Sequence, residues 1–364
     1  MPVSPLGNRN SNRRKIIYIN KIFLTLFITK NLYFSVHLYD KNLQIMKRIT
    51  LTLISAMLML SAFAVNKSTY TFAVKDTSEL KLDVYMPDDT LSEHPCLVFA
   101  FGGGFKMGAR DEESYQKFLT EIAENGIVGV SIDYRLGLKD KKIKNLIQLA
   151  KILENSVDMA VEDMACAVKY VLDNAENLKV NPKQIMLSGS SAGAITALQT
   201  DYYLCNSRLQ NLPEDFRFAG VISFAGAVAS FGEKLEYKTQ PAPVLFMHGT
   251  KDELVTYNKK VVLKRGMYGS YYLIENIWVK NNWPYMALRF RNFGHEVAML
   301  GFKENVPTVL EFIDKFVLNP TKFYVEDITI AEQGVNEPLL QLGTDGLYGD
   351  AEVIISDEVI ERIK

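Results

Sequence analysis

Histidine, cysteine and tryptophan are scarce in this chain, which holds four, three and two of them among 364 residues. The cysteines, Cys96, Cys166 and Cys205, are odd in number and show no metal-ligand spacing, so neither a disulfide framework nor a zinc site is expected. Cys96 in an apolar strand and Cys166 on an apolar helix face read as buried, inert thiols. No metal and no cofactor are expected. The scarcity of histidine has another use, because any chemistry that needs an imidazole must draw on very few positions. Surplus positive charge is missing too. The formal net charge is −1, and nine Lys or Arg against one acid in residues 1–48 leave about −9 for the remainder. That balance disfavours nucleic acid as a partner, since binding phosphates takes clustered cations.

An uninterrupted apolar run of the ~20 residues that cross a bilayer is also lacking. Ile16 to Leu38 is broken by Lys21 and Lys30. From Met46 the chain reads as a secretory signal peptide over residues 46–64. It has a basic start at Lys47 and Arg48, an apolar run from Leu51 to Leu60, and Ala62-Phe63-Ala64 as a small-x-small cleavage site. Cleavage there predicts a mature chain from Val65, exported to the periplasm or beyond, with no membrane anchor. Residues 1–45 then form an upstream segment outside the mature protein.

Beyond the leader, apolar runs of strand length alternate with amphipathic segments of helix length. This predicts an α/β domain over 65–318, with a mostly parallel central sheet and helices on both faces. Tyr70 to Lys75 and Leu80 to Tyr85 alternate apolar and polar side chains and predict an edge hairpin. Cys96 to Phe101, Ile127 to Ile132, Gln184 to Leu187, Ala219 to Phe224, Val244 to Met247 and Tyr285 to Arg291 predict buried strands. Helices are predicted at Tyr115 to Ala123, Val157 to Leu172, Ala194 to Leu204 and Val306 to Val317. Residues 319–364 form an extension of unassigned role, whose apolar stretches Phe323 to Ile330 and Val353 to Ile360 fit short strands or a helix.

Between the Gln184 to Leu187 strand and the helix after it lies Gly189-Ser190-Ser191-Ala192-Gly193. Gly-x-Ser-x-Gly alone is a weak signal, and a glycine-serine turn capping a helix is the ordinary alternative. Its position is what makes Ser191 a candidate nucleophile: so sharp a turn needs small residues on both sides and leaves the hydroxyl exposed. The following helix directs its unpaired N–H groups toward the reacting oxygen. A serine hydroxyl needs a base, and past the leader only His94, His248 and His295 are available. His94 enters a strand, and His248 ends one in Met247-His248-Gly249. His295 lies on a loop after the last strand, in Phe293-Gly294-His295-Glu296, and is the expected base. A carboxylate must then hold its ring, and Asp252 and Glu253 compete for that role after the Val244 to Met247 strand. Backbone donors for an oxyanion are expected from the Gly102-Gly103-Gly104 loop, through Gly103 and Gly104, together with Ala192.

The order strand, triple glycine, serine turn, acid, histidine resembles the α/β-hydrolase fold, in its carboxylesterase and lipase branch with a His-Gly-Gly-Gly loop. The resemblance runs from about Leu80 to Val317. It includes Leu82-Asp83-Val84-Tyr85-Met86-Pro87, Phe101-Gly102-Gly103-Gly104-Phe105 and Asp133-Tyr134-Arg135-Leu136. It implies Asp252 rather than Glu253 as the acid, completing a Ser191, His295, Asp252 triad. Two positions depart from the pattern. Phe101 replaces the histidine that opens the glycine loop, and Ser190 stands where many relatives carry an acid.

The resemblance implies hydrolysis of short acyl or aryl esters, with acetylated polysaccharide as one form of substrate. A peptidase on the same fold and an inactive binding protein rank behind it. Gly102, Phe105, Ser190 and Trp278 are the expected substrate contacts. Trp278 belongs to an aromatic stretch between Asp252 and His295, with Tyr268, Tyr271, Tyr272 and Trp283, that reads either as a pocket wall or as a helix packed into the core.

Overall fold

The computed structural model describes residues 65–75, 78–232, 234–262, 264–320 and 325–331. The leader and upstream segment therefore lie outside the described residues, as does most of the 319–364 extension. Among the described residues the central sheet has nine strands. In chain order its strands are β1 (Asn66–Lys75), β2 (Ser78–Met86), β3 (His94–Ala100), β4 (Val128–Ile132), β5 (Val180–Ser190), β6 (Gly220–Phe224), β8 (Val244–Gly249), β11 (Tyr285–Arg291) and β12 (Val325–Ala331). They lie side by side as β1-β2-β4-β3-β5-β6-β8-β11-β12. β1 and β2 form the expected antiparallel hairpin, β2 joins β4 antiparallel, and every pairing from β4 to β12 is parallel. All five residues of β4 and of β6 are buried, which is why their sequences are continuous apolar runs and not alternating ones.

The helices are α1 (Glu113–Glu124), α2 (Leu146–Asp173), α3 (Ala192–Cys205), α4 (Ser270–Leu273), α5 (Val297–Glu304) and α6 (Val306–Ile313). α2 packs on α3, while α1, α5 and α6 pack against one another. α2 is longer than its predicted Val157 to Leu172 core. Asn145 caps it by accepting from the Gln148 N–H, and its first turns reach out to the site described below.

Three features correct or extend the sequence reading. The domain does not end at 318, because β12 pairs with β11 and pins Asp327 against Arg289 through two hydrogen bonds of 2.6 and 2.7 Å. A second sheet, of β7 (Ala227–Phe231), β9 (Lys259–Val262) and β10 (Arg265–Gly269) in the order β7-β10-β9, was not anticipated. The final helix breaks at Ile313 into a π-helical turn over Asp314–Leu318.

Candidate active site

Four loops leave the carboxyl ends of β3, β5, β8 and β11 at one edge of the parallel sheet, where such folds place their ligands. The chain turns from β5 into α3 within one residue, and that residue is Ser191, with φ 52° and ψ −116°. A non-glycine residue in so sparsely populated a conformation persists only where its surroundings enforce it. Here the Ser191 N–H donates to the Phe224 carbonyl at 2.9 Å. A Cβ at Gly189 would lie 2.3 Å from the Gly193 backbone, and one at Gly193 would lie 2.0 Å from the Ala100 carbonyl oxygen. Both glycines are thus required for α3 to fold back against β5 and β3.

His295 Nε2 lies 2.8 Å from Ser191 Oγ, and His295 Nδ1 lies 2.8 Å from Asp252 Oδ2. An ionised carboxylate only accepts, so Nδ1 carries the proton and Nε2 presents its lone pair to the serine hydroxyl. The other oxygen, Asp252 Oδ1, accepts from the N–H groups of Leu254 and Val255, both at 3.0 Å. Burial alone would raise the Asp252 pKa. The charge of His295 and hydrogen bonds from His248 and His295 outweigh it and hold the carboxyl well below the usual carboxylate range. Glu253, the alternative acid, is exposed.

The acid loop and the histidine loop are tied together by backbone. Thr250 N–H donates to Phe290 and Lys251 N–H to Phe293, each at 2.9 Å. Gly249 is the crossing point, where a Cβ would come within 2.2 Å of the Gly294 carbonyl oxygen.

The glycine loop is held without its histidine. Phe101 stacks on Tyr134 with centroids 4.4 Å apart, and the Tyr134 hydroxyl donates to the Phe101 carbonyl at 2.8 Å. Gly102 N–H donates to the Tyr115 hydroxyl. Gly103, Gly104 and Phe105 have φ of 124°, 62° and 59°, a left-handed run that two glycines make accessible. The Gly103 carbonyl turns away to accept from the Lys106 and Met107 N–H groups.

Against Ser191 lies a cavity of about 380 Å³, a size suited to a small ligand. Gly104, Phe105 and Ala192 line it beside the serine; Leu149, Leu153, Ile195, Phe231, Val255 and Met267 make it apolar. Its walls come from the first turns of α2 and from the small second sheet, neither of which the sequence reading had linked to the site.

Of the expected substrate contacts, Phe105 lines this cavity and the other three do not. Gly102 is buried beneath the elbow, where a Cβ would meet Ser190 and Ser191. Ser190 is turned inward, its hydroxyl donating to the Ala298 carbonyl at 2.7 Å and so tying the serine turn to the helix after His295. Trp278 is wholly buried among Phe246, Tyr237 and Trp283 at centroid distances of 5.3, 5.5 and 5.9 Å. Trp278 is core here, whereas Tyr271 of the same stretch is exposed and Tyr268, Tyr272 and Trp283 are half-buried. Trp278→Ala is accordingly expected to cost about 3–5 kcal/mol of stability, measured by denaturant unfolding, while the ratio of rates on short and long acyl esters stays as in the parent.

Among the described residues no group of three or more His, Cys, Asp or Glu is placed to hold a metal ion. Cys96 and Cys205 are buried free thiols, and burial pushes the Cys205 pKa up to about 12.

The sheet order, the turn at Ser191 and the glycine loop are those of the α/β-hydrolase fold. Residues 82–234 match the family model described as BD-FAE. Gut esterase 1 of Caenorhabditis elegans is 29% identical over 109 residues, covering 29% of this chain and 18% of that protein. Para-nitrobenzyl esterase of Bacillus subtilis (strain 168) is 29% identical over 119 residues, 32% of this chain and 23% of that one. The chain spans less than a quarter of the length of these relatives. The structure of Thermogutta terrifontis esterase 2 phosphonylated by sarin superposes over 70% of this chain and 97% of that chain, with a TM-score of 0.51 and 20% identity, a likeness of fold alone. The chain thus has the α/β-hydrolase fold and, over residues 82–234, is similar to the BD-FAE family.

Proposed function

We propose that this protein is a serine carboxylic-ester hydrolase that works through an acyl-enzyme on Ser191. The observation that carries the reading is the unbroken line from Ser191 Oγ through His295 to Asp252 beside an apolar cavity. In the first half-reaction His295 Nε2 takes the hydroxyl proton as Oγ bonds to the ester carbonyl carbon. The N–H groups of Gly104 and Ala192, with Gly103 behind them, stabilise the oxyanion from fixed positions. Collapse breaks the bond to the alkoxy oxygen, which leaves with the proton from His295. Water then gives its proton to His295 and attacks the acyl carbon, releasing the acid and restoring Ser191.

The apolar lining and modest volume favour short acyl or aryl esters, with acetylated polysaccharide as one form they take. Action after export follows from the leader over residues 46–64. The test is a series of p-nitrophenyl esters of rising acyl length, with acetylated xylan, on the parent and on Ala150→Trp. Ala150 lines the cavity from α2, so an indole there is expected to leave acetyl esters turning over and to slow the larger acyl groups by about 10-fold or more. A parent that hydrolyses no ester, or a variant with the parent's chain-length profile, would count against the reading.

A further inference from the structure

Asp252 serves two histidines. His248 ends β8 four residues before it, is buried, and brings Nε2 to 3.2 Å from Asp252 Oδ2, the same oxygen that His295 Nδ1 approaches at 2.8 Å. The tautomer of His248 follows from its other partners. Its Nε2 lies 2.9 Å from the Val255 carbonyl, which only accepts, so Nε2 carries a proton. Nδ1 then accepts from the Ser270 hydroxyl at 3.0 Å. Tyr257 packs edge-on against the ring, with centroids 5.5 Å apart. With both nitrogens engaged, His248 is no spare base.

We infer that His248 is a positioning residue for the triad: its Nε2–H, forked between Val255 and Asp252, holds the carboxylate so that Oδ2 faces His295 and moderates the negative charge His295 meets. This rests on the proposed role of Ser191, His295 and Asp252. The geometry shows what the fork does. Oδ1 is fixed by the Leu254 and Val255 N–H groups, but those two bonds leave the carboxylate free to rock about their axis. A second donor on Oδ2, beside that of His295, removes that freedom. Ser270 reinforces this tautomer by donating to Nδ1, but the Val255 carbonyl and the Asp252 carboxylate already require the proton on Nε2.

The test uses the full chain with His248→Phe, His248→Gln and Ser270→Ala, p-nitrophenyl acetate as substrate, and circular dichroism to check folding. Losing one hydrogen bond to a charged group is expected to lower kcat about 10-fold with KM within about two-fold. The acid limb of the pH–rate profile should move to higher pH, since a carboxylate short of one donor stabilises the imidazolium of His295 more strongly. His248→Gln, whose amide can donate to Asp252, should recover part of kcat and return the limb toward the parent. Lower kcat with an unmoved limb would reduce His248 to a packing residue and overturn the inference, as would a folded His248→Phe with the parent's kcat. If His248→Phe does not fold, His248→Leu takes its place, because the same upward movement of the limb is expected of a side chain with no donor and its absence overturns the idea. Ser270→Ala, in which Val255 still holds the proton on Nε2, should keep the parental limb. Failure of the underlying reading looks different: Ser191→Ala would then hydrolyse the ester as fast as the parent.

Discussion

Ser191→Ala should fold as the parent does and lose ester turnover by a factor on the order of 10⁵. The structural bond at this position is the backbone N–H to Phe224, which alanine keeps, and the glycines that permit the sharp turn are untouched. What disappears is Oγ, the atom that His295 Nε2 addresses at 2.8 Å. Residual hydrolysis above that of water is still expected, because the Gly104 and Ala192 N–H groups and the cavity remain to bind and polarise a carbonyl. Initial rates with p-nitrophenyl acetate give the magnitude. Intact-mass measurement after a fluorophosphonate probe gives the site, with one adduct expected on the parent and none on the variant. A variant with parental rates, or one still labelled, would put the nucleophile elsewhere.

The residues of this site were legible in the sequence to the extent that backbone sterics dictate them. Gly189 and Gly193 are spelled out because nothing with a Cβ fits there, and the buried strands are continuous apolar runs because both faces are covered. His295 follows from its loop after the last such run, whereas Asp252 is separated from Glu253 only by the resemblance to the α/β-hydrolase fold. What was not legible depends on contacts far apart in the chain. Asp327, Ile328 and Thr329 of β12 are exposed at a sheet edge, so the pattern fits a strand or a helix until Arg289 and β11 are beside it. The second sheet has short strands, and although β9 and β10 are neighbours in the chain, β7 and β10 pair across more than 30 residues, as Ala227 does with Gly269. Trp278 shows the limit most plainly: an aromatic residue is equally at home in a pocket wall or a core, and only the surrounding Phe246, Tyr237 and Trp283 decide between them. His248 did carry a signal that went unread. A histidine at a strand end four residues before the acid, across a tight loop, is placed to fold back onto it.

Asp252→Asn should lower kcat by about 10⁴ near neutral pH, for reasons that can be followed atom by atom. The carboxylate accepts four bonds, two from the backbone on Oδ1 and one from each histidine on Oδ2. An amide has one accepting end. If that end faces Leu254 and Val255, its NH₂ confronts two ring N–H groups, and His295 escapes by moving its proton to Nε2, where it can no longer take one from Ser191. If the amide flips, the backbone N–H pair loses its acceptor, and a buried donor without a partner costs about 1–3 kcal/mol. The pH dependence of stability separates this from a simple loss of packing. Asp252 has its pKa depressed by folding, so its contribution is complete above the unfolded value of about 3.9 and is lost as pH falls from there through the folded value. The gap in melting temperature between parent and Asp252→Asn should therefore narrow as pH falls below about 4. A gap that stays the same down to about pH 3 would mean that ionised Asp252 contributes nothing special to the fold.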